Sequence, residues 1–306
     1  MEFDVTILGS NSAIPAHGRN QTAQLVNVGL TYMLIDCGEG TQIQLRRFKL
    51  KYSRIDYIFI SHLHGDHYFG LMGMISTFHL HKRSKLLTIY GPQGLDEIIT
   101  TQLKYSNTRL NFPLRFIQTN PSEKELILEE KNFKVFSIPL KHRLPCTGFL
   151  IQEKPGLLRM NKEVLLENRI SVEAINTLRK GIDFVNEDEG ITYLAKDFTL
   201  PPKPLRSYAF CSDTIYDPID LIENLQGVTT LYHESTFADD EMLRAKETFH
   251  STATQAGDIA SKLKVKKLLL GHFSTRYIDL DLLLQQAKSK FKNSFLSEEG
   301  ITYPID

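Results

Sequence analysis

The stretch from Ile55 to His81, IDYIFISHLHGDHYFGLMGMISTFHLH, constrains this chain more than any other. Ile55 to Ile60 alternates and is rich in aromatic and β-branched residues, which predicts a strand. His62-Leu63-His64-Gly65-Asp66-His67 follows at once, and then an apolar helical pattern at Leu71, Ile75 and Phe78. Four candidate metal ligands therefore fall within six residues. They cannot share one helix face or one strand face, because side chains at these spacings diverge. A loop at a strand's C-terminal end can wrap them around a common centre. The plainer reading, a polar loop that happens to be rich in histidine, does not account for that density.

At 306 residues the chain can bury a large core, as one big domain or two. Its formal net charge is +0, so no global basic field announces nucleic acid, and a polyanion would have to be held by a local patch. The start, MEFDVTILGS, carries two early acids and no long apolar run, which does not read as a signal peptide. No stretch approaches the ~18 consecutive apolar residues of a membrane span. Cys37, Cys146 and Cys211 are too few and too scattered for a disulfide framework. They read as small buried fillers in a cytoplasmic protein.

In chain order, Phe3 to Leu8 reads as a strand ending at Gly9, and Ser10 to Gln21 as a polar loop. Leu25 to Val28 and Tyr32 to Ile35 predict a hairpin around Gly29. The second of these strands ends in Asp36-Cys37-Gly38-Glu39-Gly40, a tight turn in which Asp36 reads as structural, bonding nearby backbone. Thr41 to Phe48 predicts a short helix and Lys85 to Tyr90 a strand. Gly91-Pro92 then opens a helix from Gln93 to Lys104. Leu114 to Gln118 and Phe133 to Pro139 read as strands, separated by an acidic turn around Glu123 to Glu130.

Arg206 to Phe210, Val228 to Tyr232 and Val265 to Leu270 predict three further strands. Polar groups end each of them: Cys211-Ser212-Asp213-Thr214, His233-Glu234-Ser235-Thr236, and Gly271-His272. His142 likewise sits just beyond a strand. In layered α/β sheets, chemistry gathers on the loops at strand ends. Thr252 and Gln255 make a capping box for a helix over 252–263, with Ala256, Ile259, Ala260 and Leu263 as its apolar face. His250 lies just before that helix, where free backbone N–H groups favour an anion. Asp279 to Phe291 predicts a last helix.

Glu153 to Pro204 differs in composition. Helical patterns run over Lys162 to Asn168 and over Ser171 to Lys180, with Ser171 as N-cap. An insertion of this length between two strands predicts a protrusion from the body. Its first half carries Lys154, Arg159, Lys162, Arg169, Arg179 and Lys180 against Glu163, Glu167 and Glu173. Composition alone fits a solvated excursion and an arm that grips a polyanion equally well.

Together TILGSNSAIP, LIDCGEGTQIQL, SHLHGDHYFGL, IPLKHRLPCTGF, FCSDT, HESTF, HSTATQA and GHFSTRY run along nearly the whole chain. This ordered set resembles the metallo-β-lactamase superfamily and, within it, the ribonuclease Z family of tRNA 3′-end processing endonucleases. The HxHxDH pattern alone specifies only the superfamily. The resemblance implies an α/β fold, a four-layer αββα metallo-β-lactamase sandwich over residues 1–306, with residues 153–204 inserted as a protruding tRNA-binding arm. It implies one metal held by His62, His64, His142 and Asp213, and a second held by Asp66, His67, Asp213 and His272. Two zinc ions per subunit are implied, with Mn²⁺ or Fe²⁺ as alternatives that suit the same donor types. Asp66 is implied as proton acceptor, His250 as proton donor to the departing 3′ oxygen, and Glu234 as the residue that orients His250. Ser274, Arg276 and Asn20, with Arg19, are implied as contacts to substrate phosphate. The Gly-Pro turn usual in the family's bacterial arm is missing, and Ser171 to Gly181 stands in its place.

The implied function is a zinc-dependent cytoplasmic endoribonuclease that removes 3′ trailers from precursor tRNA. It would leave a 3′-OH on the tRNA and a 5′-phosphate on the trailer. The family further implies a homodimer, in which one subunit's arm clasps tRNA for the other, and no membrane partner. One alternative is another phosphodiesterase or sulfatase of this fold acting on a small ester; the arm, His250 and Glu234 argue against it. A non-catalytic metal- or RNA-binding protein is the other, and the intact ligand set argues against that.

Overall fold

In the computed structural model, which describes residues 1–168 and 170–306, alternation of side chains along the strands builds two seven-stranded sheets and a short hairpin among the described residues. The strands are β1 (Phe3–Gly9), β2 (Ala23–Val28), β3 (Thr31–Ile35), β4 (Ile55–Phe59), β5 (Leu87–Gly91), β6 (Leu114–Gln118), β7 (Glu125–Glu129), β8 (Phe133–Leu140), β9 (Cys146–Glu153), β10 (Phe184–Asn186), β11 (Ile191–Tyr193), β12 (Ser207–Cys211), β13 (Thr230–Glu234), β14 (Lys267–Gly271), β15 (Ser294–Leu296) and β16 (Thr302–Pro304). The helices are α1 (Thr41–Arg47), α2 (Gly65–Tyr68), α3 (Leu71–Leu80), α4 (Leu95–Tyr105), α5 (Lys162–Glu167), α6 (Val172–Leu178), α7 (Ala195–Phe198), α8 (Pro218–Leu225), α9 (Met242–Thr248), α10 (Ala253–Leu263) and α11 (Asp281–Lys290).

The first sheet runs β16-β1-β2-β3-β4-β5-β6 and the second β15-β14-β13-β12-β9-β8-β7. β3 to β6 pair in parallel, as do β12 to β15. Three cores define the layers. Val5, Ile7, Met33 and Phe59 of the first sheet meet Phe149, Tyr208, Phe210 and Leu269 of the second. On the outer face of the first sheet, Leu8, Leu34 and Ile58 pack with Leu45 of α1, Met74 of α3 and Ile99 of α4. On the outer face of the second, Leu231, Leu268 and Leu270 pack with Leu221 of α8, Ile259 of α10 and Leu283 of α11. The order is thus helix, sheet, sheet, helix: a four-layer αββα sandwich. The strands buried on both faces read as near-continuous apolar runs, as parallel sheets require.

Two sequence expectations change. The acidic segment around Glu123 to Glu130 is not simply a turn: Glu125–Glu129 is β7, paired antiparallel with β8. It is the last strand of its sheet and its glutamates point to solvent, so its apolar signal is weak. The helix expected to open at Gly91-Pro92 begins at Leu95, because Gly94 takes a left-handed φ of 90° and breaks the run. The capping box of α10 forms as read: the Thr252 hydroxyl accepts from Gln255 N–H, and the Gln255 side chain accepts from Thr252 N–H.

The chain divides into two compact units, Met1–Gln152 with Arg206–Asp306, and Glu153–Leu205. The smaller unit holds α5, α6, the β10–β11 hairpin and α7 around its own core of Leu178, Ala195 and Phe198. Asn161 caps α5 and Ser171 caps α6. Arg169 of the basic set read from sequence lies outside the described residues.

Candidate metal centre

Six strand ends supply the candidate site. The turn after β4 carries His62, His64, Asp66 and His67; α2 begins inside it at Gly65. Residues just past β8, β12 and β14 supply His142, Asp213 and His272, and Glu234 is the last residue of β13. Asp36 follows β3. The turn after β4 is tied down on both sides. Ser61 C=O accepts from Thr147 N–H of β9, and His67 C=O accepts from Cys37 N–H. Ala13, Asp36, Phe249 and His272 all hold left-handed backbone, at φ 50°, 54°, 60° and 58°. Each costs about 1 kcal/mol or more, and such strain concentrates where side chains must be aimed.

These side chains meet in two adjoining groups. One ligand atom each from His62, His64, His142 and Asp213 lies within 4.8 Å of the others, and the same holds for Asp66, His67 and His272. His62 Nε2 is 2.9 Å from His64 Nδ1, and His142 Nε2 is 3.2 Å from that same atom. Asp213 spans both groups. Its Oδ2 lies 3.5 Å from His62 Nε2 and 3.7 Å from His142 Nε2, while its Oδ1 lies 3.4 Å from His67 Nε2 and 3.0 Å from His272 Nε2. Asp66 Oδ2 lies 3.3 Å from His67 Nε2 and 3.5 Å from His272 Nε2. A tetrahedral cation with bonds of about 2.0–2.2 Å would set its ligand atoms roughly 3.3 Å apart, so the spacings fit.

The hydrogen bonds behind the rings point the same way. His67 Nδ1 donates to Asp36 Oδ2 at 2.7 Å, and His142 Nδ1 to the Phe249 carbonyl at 3.1 Å. His272 Nδ1 donates to Thr236 Oγ1 at 3.0 Å, and His62 Nδ1 to Ser61 Oγ at 3.1 Å. With Nδ1 so engaged, each Nε2 faces inward, placed to give its lone pair to a cation. Burial would lower the His67 pKa, but the charges of Asp66, Asp213 and Asp36 outweigh it and raise it, the pull of a site that favours positive charge. Buried His67 Nε2 and His272 Nε2 have no hydrogen-bond partner, a costly state unless another group satisfies them. This imidazole and carboxylate donor set, with no thiolate, suits a divalent cation in a catalytic centre. Burial lowers the pKa of His62, His64 and His142, which keeps their lone pairs available. Burial alone would raise Asp213, but His272, His67 and His62 outweigh it and hold the carboxyl well below its usual range.

Beside this cluster, His250 Nδ1 lies 3.0 Å from Glu234 Oε1. Glu234 is fully buried and also accepts from Thr214 N–H at 2.8 Å and from the Thr236 hydroxyl at 2.5 Å. Burial by itself would lower the His250 pKa, but the Glu234 charge and hydrogen bond raise it to about 9. The pair with Glu234 therefore favours the cationic ring, with Nε2 as the nitrogen not tied to Glu234. His250 N–H also caps α9 through the Ala245 carbonyl, so the end of that helix sets the ring's position.

Every residue expected as ligand or proton carrier thus converges. The expected phosphate contacts do not share that cluster. Asn20 Nδ2 donates to Glu299 Oε2 at 2.8 Å. Arg19 directs its guanidinium to Asn11 Oδ1 and to the carbonyls of Tyr277 and Ile278. Ser274 is buried, with its hydroxyl accepting from Arg276 N–H, and the exposed Arg276 side chain pairs with Glu241 at 3.5 Å. The sequence reading missed Ser61, Thr236 and the Ala13 N–H that donates to Asp66 Oδ2 at 2.8 Å. It also missed Glu299, which accepts from Ser10, Asn20 and Gln44 and so fixes the Ser10–Asn20 loop. Adjacency to His62 and the position of Thr236 in HEST were available signals for two of these. A backbone donor and a distant glutamate leave none.

Comparison with known proteins adds the following. Residues 3–166 match the family model described as Anti-Pycsar protein Apyc1. That match includes the turn after β4 and His142 but stops before Asp213, Glu234, His250 and His272. A Ribonuclease Z of Bacteroides fragilis strain YCH46 is 43% identical over 300 residues, 98% of each chain. The crystal structure of human tRNase Z, short form, superposes with a TM-score of 0.71 at 28% identity, covering 99% of each chain. The metallo-β-lactamase fold protein YhfI of Bacillus subtilis, at 17% identity and a TM-score of 0.70 over 99% of this chain and 100% of its own, shares the fold.

Proposed function

Because the chain belongs to the ribonuclease Z family over its full length, and its first half also to the Apyc1 family, we propose that the cluster at the strand ends is the centre at which it cuts precursor tRNA. The chain is a metal-dependent endoribonuclease of tRNA 3′ processing. The observation that carries the site assignment is the placement of Asp213, with one carboxylate oxygen facing His62 and His142 and the other facing His67 and His272.

In this reading two zinc ions per subunit would be held, one by His62, His64, His142 and Asp213, the other by Asp66, His67, His272 and Asp213. When bound, such ions lower the pKa of a water towards about 7 and offset charge on a phosphodiester. The chain's own groups do the rest. Asp66, steadied by Ala13 N–H, orients the attacking water and accepts its proton. The water oxygen bonds to phosphorus as the bond from phosphorus to the 3′ oxygen breaks. His250, charged through its pair with Glu234, gives its proton to that departing oxygen. The products are a tRNA with a 3′-OH and a trailer with a 5′-phosphate.

The same reading makes the unit Glu153–Leu205 a tRNA-gripping arm that serves the partner in a homodimer, with Ser274, Arg276 and Asn20 as contacts to substrate. It places the enzyme in the cytoplasm. Among the described residues, no helix is long and apolar enough to cross a membrane. The test is incubation with a precursor tRNA bearing a 3′ trailer, with and without chelator. Chelator-sensitive trailer release is expected. Turnover of a small diester without trailer release would favour the small-ester reading. Bound metal with neither activity would leave only a binding protein.

A further inference from the structure

The turn that carries the clustered histidines also walls a groove of about 180 Å³ that no step above uses. Leu63, between His62 and His64, lines it, as do Leu144 and Pro145 just past His142. Pro92 and Gln93 come from the turn after β5, and Gln118 from the end of β6. Consecutive Cα atoms are 3.8 Å apart, so these walls begin one or two residues from three members of the cluster. The groove and the centre thus share the turn after β4 and the segment past His142, and Thr147 of the groove donates its N–H to the carbonyl of Ser61, the residue before His62.

Its chemistry narrows the occupant. No lysine or arginine lines it among the described residues, so it is not built for a phosphate. Leucine and proline side chains offer apolar walls to a flat ring. A cavity of roughly 150 Å³ admits a benzene-sized molecule, so this one has room for a planar heterocycle but not for a base pair. Gln93 and Gln118 each present a carboxamide, with two donors and one acceptor oxygen, and neither side chain is hydrogen bonded to another described residue. That is the complement of a nucleobase edge. Single-stranded RNA ends are recognised in this way, with unstacked bases splayed into pockets and read along their edges.

Resting on the endoribonuclease reading above, we propose that this groove receives the nucleobase of a nucleotide flanking the scissile phosphodiester, and that Gln93 and Gln118 read its edge. They are specificity residues, acting on which ends are cut rather than on the bond chemistry. Thr119 and Thr147, joined hydroxyl to hydroxyl at 3.3 Å, line the buried part of the groove.

The experiment uses the metal-loaded full chain and a panel of precursor tRNAs. The last retained base and the first trailer base are each varied over four nucleotides, and kcat/KM is measured for every substrate. Wild type is expected to spread by about fivefold or more across the bases at one of these positions, the discrimination that one or two hydrogen bonds supply. Gln93→Leu with Gln118→Leu should shrink that spread to about twofold or less. Leu144→Trp, which fills the groove, should lower kcat/KM most for the favoured base. Metal content and melting temperature confirm that each variant is folded. Equal loss on all bases, or an unchanged spread in the double variant, overturns the proposal. A wild-type enzyme that releases trailers with no preference at either position overturns it while leaving the nuclease reading intact. If wild type releases no trailer at all, both readings fall together.

Discussion

His250 lies close enough to Asp213 and His272 that all three could in principle share a cation, so its role has to be separated from theirs. In the proposed mechanism its bond to Glu234 makes it a proton donor, and His250→Ala should then slow trailer cleavage by about 10²-fold or more while leaving metal content unchanged. Single-turnover cleavage and elemental analysis check this together; lost metal would make it a ligand. A second prediction concerns His233, which is fully buried with its Nε2 unpartnered. Burial lowers its pKa, against the weaker upward pull of the Glu234 carbonyl and charge. As pH falls below about 6.5, the unfolded chain takes up this proton before the fold does. Stability tied to a neutral His233 is therefore present above that pH and declines below it. In urea titrations of chelator-treated protein, His233→Gln should lose less stability than wild type between pH 7.5 and 5.5. At this scale the site was largely legible, because chemistry demands particular side chains at particular strand ends: His62, His64, Asp66 and His67 announce themselves by density. The donors behind them were not. Ala13 contributes only its backbone, and Ser61 and Thr236 are common residue types whose role depends on which ring stands beside them.

Among the elements, α10 carries most of what was readable. Its capping box, its apolar face and its end at Leu263 all follow local rules, and local rules are visible in a single chain. Its packing was not visible. A Cβ on Gly257 would stand 2.5 Å from the Ala287 carbonyl of α11, so glycine permits the two helices to approach. Gly257→Ala should therefore destabilise the fold by about 1–3 kcal/mol despite alanine's better helix propensity, as a shifted urea midpoint would report. Strands β7, β15 and β16 escaped sequence reading for a related reason. They are edge strands, with β16 joining β1 from the far end of the chain and β7 carrying exposed glutamates at both its ends. Their existence rests on a neighbour in space, and nothing in three or five residues declares which neighbour that is.

For the molecule as a whole, the candidate ligands come from both halves of the sandwich: His62, His64, Asp66 and His67 from loops of the first sheet, His142, Asp213 and His272 from the second. Cations held between them would act as rivets, because a ligand bound only by the native state adds to its stability. Chelation should lower the melting temperature, and readdition of zinc should restore it. The unit Glu153–Leu205 is predicted to be separable from the chemistry: deleting residues 155–200 should weaken precursor tRNA binding and spare hydrolysis of a small diester, as filter binding and a chromogenic assay would record. Equal loss of both would make the unit part of the main fold. The spread of the ligands along the chain, from residue 62 to residue 272 of 306, has an outcome for biosynthesis. A nascent chain exposes the first histidines early, yet holds no complete cage until the last strands have left the ribosome. With the proposed ligand set, the nuclease would stay unarmed throughout its own translation, amid the very RNAs it would otherwise cut.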